Sequence, residues 1–182
     1  MSTGDSFVLT SKQSGDEKEP SLVFHLTVPD DAGEDADEYN LYVTKVLINA
    51  GAVYAAAGED TSILIGRNSS AGQQFAQTYP VEIPSVYRGA QGEDEALTNG
   101  AYNWAELDVT EIRTGGWRLR DYPYYGFFAR TNSVRINEVL FIAVNSDLPE
   151  EEREPVVLRA EIDATSVIRR SEGETQQQAM ER

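Results

Sequence analysis

The sequence predicts an all-β protein: a single jelly-roll β-barrel or sandwich of about eight strands. Three observations lead there. Apolar and polar residues alternate with period two through run after run, the pattern of strands with one face buried. No stretch carries the 3.6-residue apolar period of a long helix. Turn-forming residues separate the runs at about the spacing of sandwich strands. The 182 residues suffice for one domain whose core needs no staples. Residues 1–20 are expected to form an N-terminal arm with one short strand, 21–170 the jelly-roll domain, and 171–182 a mobile tail.

Phe7-Val8-Leu9 reads as the arm's strand, and the polar run ending in Asp16-Glu17-Lys18-Glu19-Pro20 as a linker. In residues 21–28, Leu22, Phe24, Leu26 and Val28 alternate with Ser21, Val23, His25 and Thr27 before Pro29 stops the run. Asp30 to Glu38 holds six carboxylates in nine residues. Its glycine comes too early for an EF-hand calcium loop, so it reads as a solvated loop. Residues 40–57 predict one strand and a second after Gly51, where a glycine suits a bulge or bend. The alanines there leave a short helix over 50–57 as the alternative. A Gly58-Glu59-Asp60 turn leads into a strand at Thr61–Gly66.

Residues 67–100 show little regular pattern. A turn is expected at Arg67–Gly72, an edge strand or extended loop at Tyr79–Tyr87 with its two prolines, and a short helix at Gly92–Leu97. An excursion this long between strands marks a functional loop or an interface. Strands return at Tyr102, with Ala105, Leu107 and Val109 on one face and Trp104, Glu106, Asp108 and Thr110 on the other. Thr114-Gly115-Gly116 is a tight turn into the alternating Trp117-Arg118-Leu119-Arg120.

A hairpin is then expected over Tyr125–Asn145, broken at Thr131-Asn132-Ser133, as the centre of the sandwich. The even positions of its second strand, Val134, Ile136, Leu140, Ile142 and Val144, form an apolar face interrupted only by Glu138. That carboxylate is expected at the barrel's end or paired with Arg130 or Arg159. Ser146–Pro155 reads as an acidic loop or a single helical turn. Residues 156–168 give the longest clean strand, with Val156, Leu158, Ala160, Ile162 and Ala164 on one face.

The charge narrows the partners. Thirty-one acidic residues against 15 basic ones give a net charge of -16 and a pI near 4.3. Nucleic acid and anionic lipid bind through Lys/Arg neutralisation of phosphate, so this balance argues against both. Only Lys12, Lys18 and Lys45 are lysine. An acidic, lysine-poor chain resembles the proteins of extreme halophiles, where molar salt shortens the Debye length to about 3 Å and screens self-repulsion. The absence of cysteine removes disulfides, thiolate metal sites and cysteine nucleophiles together. No run approaches the roughly 20 apolar residues of a membrane span. The stretch from Met1 to Ser6 lacks the basic and apolar regions of a signal peptide, which predicts synthesis without Sec-type export.

Catalytic constellations are hard to assemble from these residues. A triad hydrolase needs a nucleophile, a base and an orienter. The one histidine, His25, falls in the polar phase of a strand, and no Gly-x-Ser-x-Gly elbow occurs. A cupin-type metal centre needs several histidines. Glu106, Asp108, Glu161 and Asp163 lie on outward phases and offer glycosidase-like pairs, but carboxylates this abundant make such a pair uninformative. The expectation is a protein that is not an enzyme, with no catalytic, cofactor-binding or metal-ligating residue to name.

One cluster stands apart. Trp104, Trp117, Tyr122, Tyr124 and Tyr125 fall close together in sequence, interleaved with Arg118 and Arg120. Trp, Tyr and Arg dominate interface hot spots, so these seven are the candidate subunit-interface residues; plain core packing is the competing explanation.

A compact all-β chain of 20.1 kDa with no catalytic constellation and an acidic, lysine-poor surface resembles a known family. Residues 20–170 are similar to the small single-jelly-roll major capsid proteins of tailless icosahedral, internal-membrane-containing viruses of halophilic archaea. The resemblance implies a structural virion protein, made in the host cytoplasm and located in the capsid. It further implies upright β-barrels near an internal membrane, assembling with copies of themselves and with a second, larger β-barrel capsid protein into (pseudo-)hexameric capsomers. Loops such as 67–100 and 114–125 and the termini would then make subunit contacts, with cations screening the acidic surface and no nucleic acid bound. The alternative is a carbohydrate-binding or adhesin-like β-sandwich using Trp104, Trp117 and the tyrosines. A secreted glycosidase-like enzyme comes third.

Overall fold

A computed structural model of the chain describes residues 7–9, 22–54, 62–70, 75, 77–83, 103–131 and 133–163. The protein is all-β, built from two antiparallel sheets packed as a sandwich. In chain order the strands are β1 (Phe7–Leu9), β2 (Leu22–Thr27), β3 (Leu41–Tyr54), β4 (Ser62–Asn68), β5 (Thr78–Glu82) and β6 (Asn103–Asp108). A helical turn, α1 (Val109–Ile112), precedes β7 (Trp117–Arg118), β8 (Tyr124–Thr131), β9 (Ser133–Asn145), β10 (Val156–Val157) and β11 (Arg159–Ile162). The first sheet runs β1-β9-β3-β6, with β10 also on β9 and β7 also on β3; the second runs β11-β2-β8-β4-β5.

Period-two patterning places the core where the sequence points. Leu22, Phe24 and Leu26 of β2 are buried, as are Ala105, Leu107 and Val109. The Phe24 ring of the second sheet meets Phe141 of the first edge-on, centroids 5.6 Å apart, and Phe127 closes the triangle. Such contacts between inner faces are what hold two sheets together.

The expected hairpin over Tyr125–Asn145 is instead two strands in different sheets. β8 pairs with β2 and β4, whereas β9 pairs with β1, β3 and β10. Alternation identifies strands but not their partners, and a short polar break serves a change of sheet as well as a reversal. β8 ends at Thr131 in one sheet and β9 begins at Ser133 in the other.

The apolar face predicted for β9 holds only in its first half. Asn49 pairs with Glu138 but Ala50 pairs with Ile136, so Asn137 is an extra residue on β9. A bulge advances the side-chain phase by one. Val134 and Ile136 therefore point inward before it, and Val139, Phe141 and Ala143 after it. Glu138, Leu140, Ile142 and Val144 turn outward and are half-buried. Glu138 forms no ion pair among the described residues, and Arg159 pairs with Glu161 at 2.9 Å. A second bulge, at Thr44, does the same to β3: Leu41 and Val43 face the core on one side of it, Val46 and Ile48 on the other.

Three further expectations change. β3 runs through Gly51 as one strand of 14 residues. The strand from Tyr102 stops at Asp108, whose Oδ1 accepts from the Thr110 amide at 3.1 Å and caps α1; Asp108 and Glu111 have the spacing of a capping box. The long strand after Val156 divides at Leu158, because β10 pairs with β9 and β11 with β2. Buried Leu158 donates its amide to the Phe141 carbonyl at 2.9 Å as the chain passes from one sheet to the other.

The tight turn at Gly115-Gly116 is as expected, with φ of 84° and 94°. β5 pairs with β4 alone, as an edge strand, and Glu150–Glu152 forms a single 3-10 turn. The 10–20 linker, the turn at 58–60, the helix at 92–97 and the tail at 171–182 lie outside the described residues.

Candidate interaction surface

The seven clustered residues go to four places. Trp117 and Tyr125 are fully buried, 0% exposed, and belong to the sandwich interior rather than to any surface. Trp117 shares the inward phase with Leu119, which is why both are buried while Arg118 and Arg120 are exposed. Tyr122 is half-buried at one end of the sandwich. Tyr124 stacks on His25 on the outer face of the second sheet, centroids 4.6 Å apart and planes 14° from parallel. Trp104, 49% exposed, stands on the outer face of the first sheet.

Arg67 is the functional-looking residue that sequence reasoning missed. It continues the inward phase of Ile63 and Ile65 on β4 and enters the space between the sheets. Its guanidinium lies 4.6 Å from the Trp117 ring centroid and 4.5 Å from that of Tyr122, with Tyr79 at 5.8 Å. Its Nη2 donates to Gln77 Oε1 at 3.2 Å. A cation in the apolar phase of a strand, in a chain with nine tyrosines, was the available signal. Beside it, burial pushes the Tyr125 hydroxyl far above its ordinary value, and the Arg67 charge offsets this only in part. The Arg67 Nε, Trp117 Nε1 and Tyr125 hydroxyl make no hydrogen bond among the described residues. This is a structural latch: aromatic faces hold the half-buried charge.

At the same end, Arg118 Nε donates to the Tyr42 hydroxyl at 2.9 Å, and Arg120 lies 3.6 Å from Glu38 with its guanidinium over Tyr39. The bond to Tyr42 raises the Arg118 pKa, and contact with Tyr39 and Glu38 raises that of Arg120. Both stay charged at the surface.

The two outer faces differ. On the second sheet, Val23 and Phe128 are buried under Phe75, with Leu64 and Tyr124 packed alongside. Gly66 pairs with Gly126 across the ladder, and a Cβ on Gly66 would stand 3.0 Å from Phe75 Cβ. The glycines make room for that cover. The first sheet has no such cover among the described residues. The β9 bulge brings Leu140, Ile142 and Val144 to its outer face beside Leu47 of β3, all half-buried, and Trp104 adjoins them opposite Asn49. Lys45 pairs with Glu106 at 3.2 Å on the same face. An apolar strip with a charged border is the composition of a contact surface.

No family model matches the chain, and neither does any curated protein or solved structure. Among the described residues no three His, Asp or Glu side chains gather as a metal site, and no helix is long and apolar enough to cross a membrane.

Proposed function

We propose that the chain is a single jelly-roll structural subunit of an icosahedral virion shell. Support for the jelly roll comes from nested pairing. Take the eight strands β1, β2, β3, β4, β5, β6, β8 and β9 in order. The first pairs with the last (β1 with β9), the second with the seventh (β2 with β8), the third with the sixth (β3 with β6), and the fourth with the fifth. An antiparallel ribbon folded once and wrapped round a core gives this nesting. β7, β10 and β11 are short additions to it.

The observation that supports the structural role is the apolar face of the first sheet, which has no cover among the described residues. Phe75 layers the second sheet, and this reading assigns the strip of Leu47, Leu140, Ile142 and Val144 to contact with another molecule. Copies of the chain, and a second, larger β-barrel capsid protein, are the partners this reading assigns, in pseudo-hexameric capsomers near an internal membrane. With a net charge of -16, close packing of copies requires cations or high salt to screen the repulsion.

Native light scattering and sedimentation from dilute buffer to molar salt test this. Association should rise with salt and fall in Leu140→Lys and Ile142→Lys variants that keep their β circular dichroism. A monomer at every salt concentration, alone and with the other β-rich proteins encoded beside it, would end the capsid reading. The sugar-binding alternative now depends on exposed Trp104, since Trp117 is interior; a glycan array with wild type and Trp104→Ala addresses it.

A further inference from the structure

We propose that the end of the sandwich enclosed by Arg67, Trp117 and Tyr125 binds a small monatomic anion, a halide such as chloride. The site is independent of the shell reading and holds whatever the chain assembles into. Three donors lie there without an acceptor. The Arg67 Nε, the Trp117 Nε1 and the Tyr125 hydroxyl are all buried and make no hydrogen bond among the described residues. Trp117 and Tyr125 are each 0% exposed. Buried polar groups are nearly always paired, so a group of orphans marks the place of a bound water or ion.

The sheets make these three side chains neighbours. Arg67 of β4 and Tyr125 of β8 are directly paired across the second sheet. Both point inward, so their side chains leave the backbone about 5 Å apart. β7 of the first sheet lays Trp117 against both. Its ring centroid is 4.6 Å from the Arg67 guanidinium and 5.9 Å from the Tyr125 ring. Arg67, Tyr79 and Tyr122 are only half-buried, which gives an ion a way in from that end.

Counting acceptors decides between an anion and water. The side-chain acceptor beside Arg67 is Gln77 Oε1, and it already takes the Arg67 Nη2 at 3.2 Å and the Tyr79 hydroxyl at 3.3 Å. A water accepting from the orphan donors brings two hydrogens that need acceptors of their own. A halide accepts from all three and donates to none. Charge points the same way, because Arg67 forms no ion pair among the described residues and a half-buried cation favours an anionic partner. Burial keeps the Tyr125 hydroxyl protonated, so it remains a donor. One donor each from a guanidinium, an indole and a phenol suits a monatomic ion. An oxyanion such as phosphate takes an arginine through paired N–H groups, and the Nη2 that flanks Nε is engaged by Gln77.

Trp117 itself reports on the site once Trp104, the other tryptophan, is replaced. Trp104 is exposed on the outer face of the first sheet, so Trp104→Phe leaves the site untouched. Bromide, a heavy-atom quencher, is titrated into this variant in place of gluconate at constant ionic strength. Emission should fall to a plateau, and added chloride should restore it by competition. Tyr125→Phe in the same background removes one donor and keeps the ring; its bromide midpoint should rise by about tenfold or more. Quenching that stays linear in bromide, no relief by chloride, or an unchanged midpoint in folded Tyr125→Phe would each overturn the proposal and leave water as the partner of these donors. Bromide-soaked crystals give a reading that needs no variant. An anomalous peak beside Arg67 Nε, Trp117 Nε1 and the Tyr125 hydroxyl supports the site, whereas water there and bromide only at the surface, an adventitious ion only, overturns it.

Discussion

The guanidinium of Arg67 lies 4.6 Å from the ring centroid of Trp117, joining β4 of the second sheet to β7 of the first. With the Tyr122 ring centroid also 4.5 Å away, the cation is held by aromatic faces in place of a carboxylate. Cation–π contacts contribute about 1 kcal/mol at a half-buried site such as Arg67, between the exposed and desolvated limits. Arg67→Met should therefore lower unfolding stability by about that amount, read as a fall in urea midpoint at unchanged slope. Arg67→Lys should lose part of it, because an ammonium cannot stack on a ring face as a planar guanidinium does. Equal stability of all three proteins would show that the stacking contributes nothing.

Tyr125 gives a pH prediction. Its buried hydroxyl has a pKa raised above the unfolded value of 10.0, so the native state holds its proton more tightly than the unfolded one. That contribution is fully present below the unfolded pKa and declines as pH rises above it. The wild type should lose stability in alkali beyond what its other groups impose, and Tyr125→Phe should reduce that loss. At neutral pH the substitution should leave stability unchanged or raise it by about 1 kcal/mol, since it removes a buried hydroxyl with no partner among the described residues. Urea denaturation at neutral pH and above pH 10 provides the comparison.

Gly115 and Gly116 both have positive φ, but their surroundings differ. A Cβ on Gly115 would meet nothing within 4 Å, whereas one on Gly116 would stand 2.3 Å from the Val43 carbonyl oxygen. Gly115→Ala should cost about 1 kcal/mol, the conformational penalty alone. Gly116→Ala should cost about 3 kcal/mol or more, because the β3 backbone has to move as well. Matching thermal midpoints for the two variants would contradict the close approach.

The bulge on β9 can be tested by deletion. Removing Asn137 would force one half of the strand into the wrong phase, burying Glu138 or expelling Val139, Phe141 and Ala143. That variant should fail to fold, with loss of near-ultraviolet circular dichroism. Asn137→Ala keeps the extra residue and should cost about 1 kcal/mol or less. A folded deletion variant would mean that the register can slip without penalty.

Much of this architecture was legible in the sequence, for a physical reason. Alternation is local, so the inward residues of β2 and the Ala105, Leu107 and Val109 face could be read directly. Pairing is not local. Nothing around Thr131–Ser133 distinguishes a hairpin from a change of sheet, and nothing around Leu158 marks the passage from β10 to β11. The bulges at Thr44 and Asn137 were hidden for another reason. β9 is apolar on both phases from Val139 onward, so the pattern survives a one-residue slip, and only Glu138 recorded it. The aromatic cluster misled because Trp and Tyr suit cores and interfaces alike; Leu119, two residues from Trp117, was the better guide.

The pairing of Phe7 with Ile136 also fixes when the molecule can be completed. During synthesis β4 and β5 can meet early, but β1 has no partner until residue 136 has left the ribosome, and β2 must wait for β8. Contacts of such long sequence separation make β-sandwich folding slow, in the range of about milliseconds to seconds. Until then the growing chain exposes strand edges that neighbouring nascent copies can also pair. The net charge of -16 keeps those unfinished chains apart.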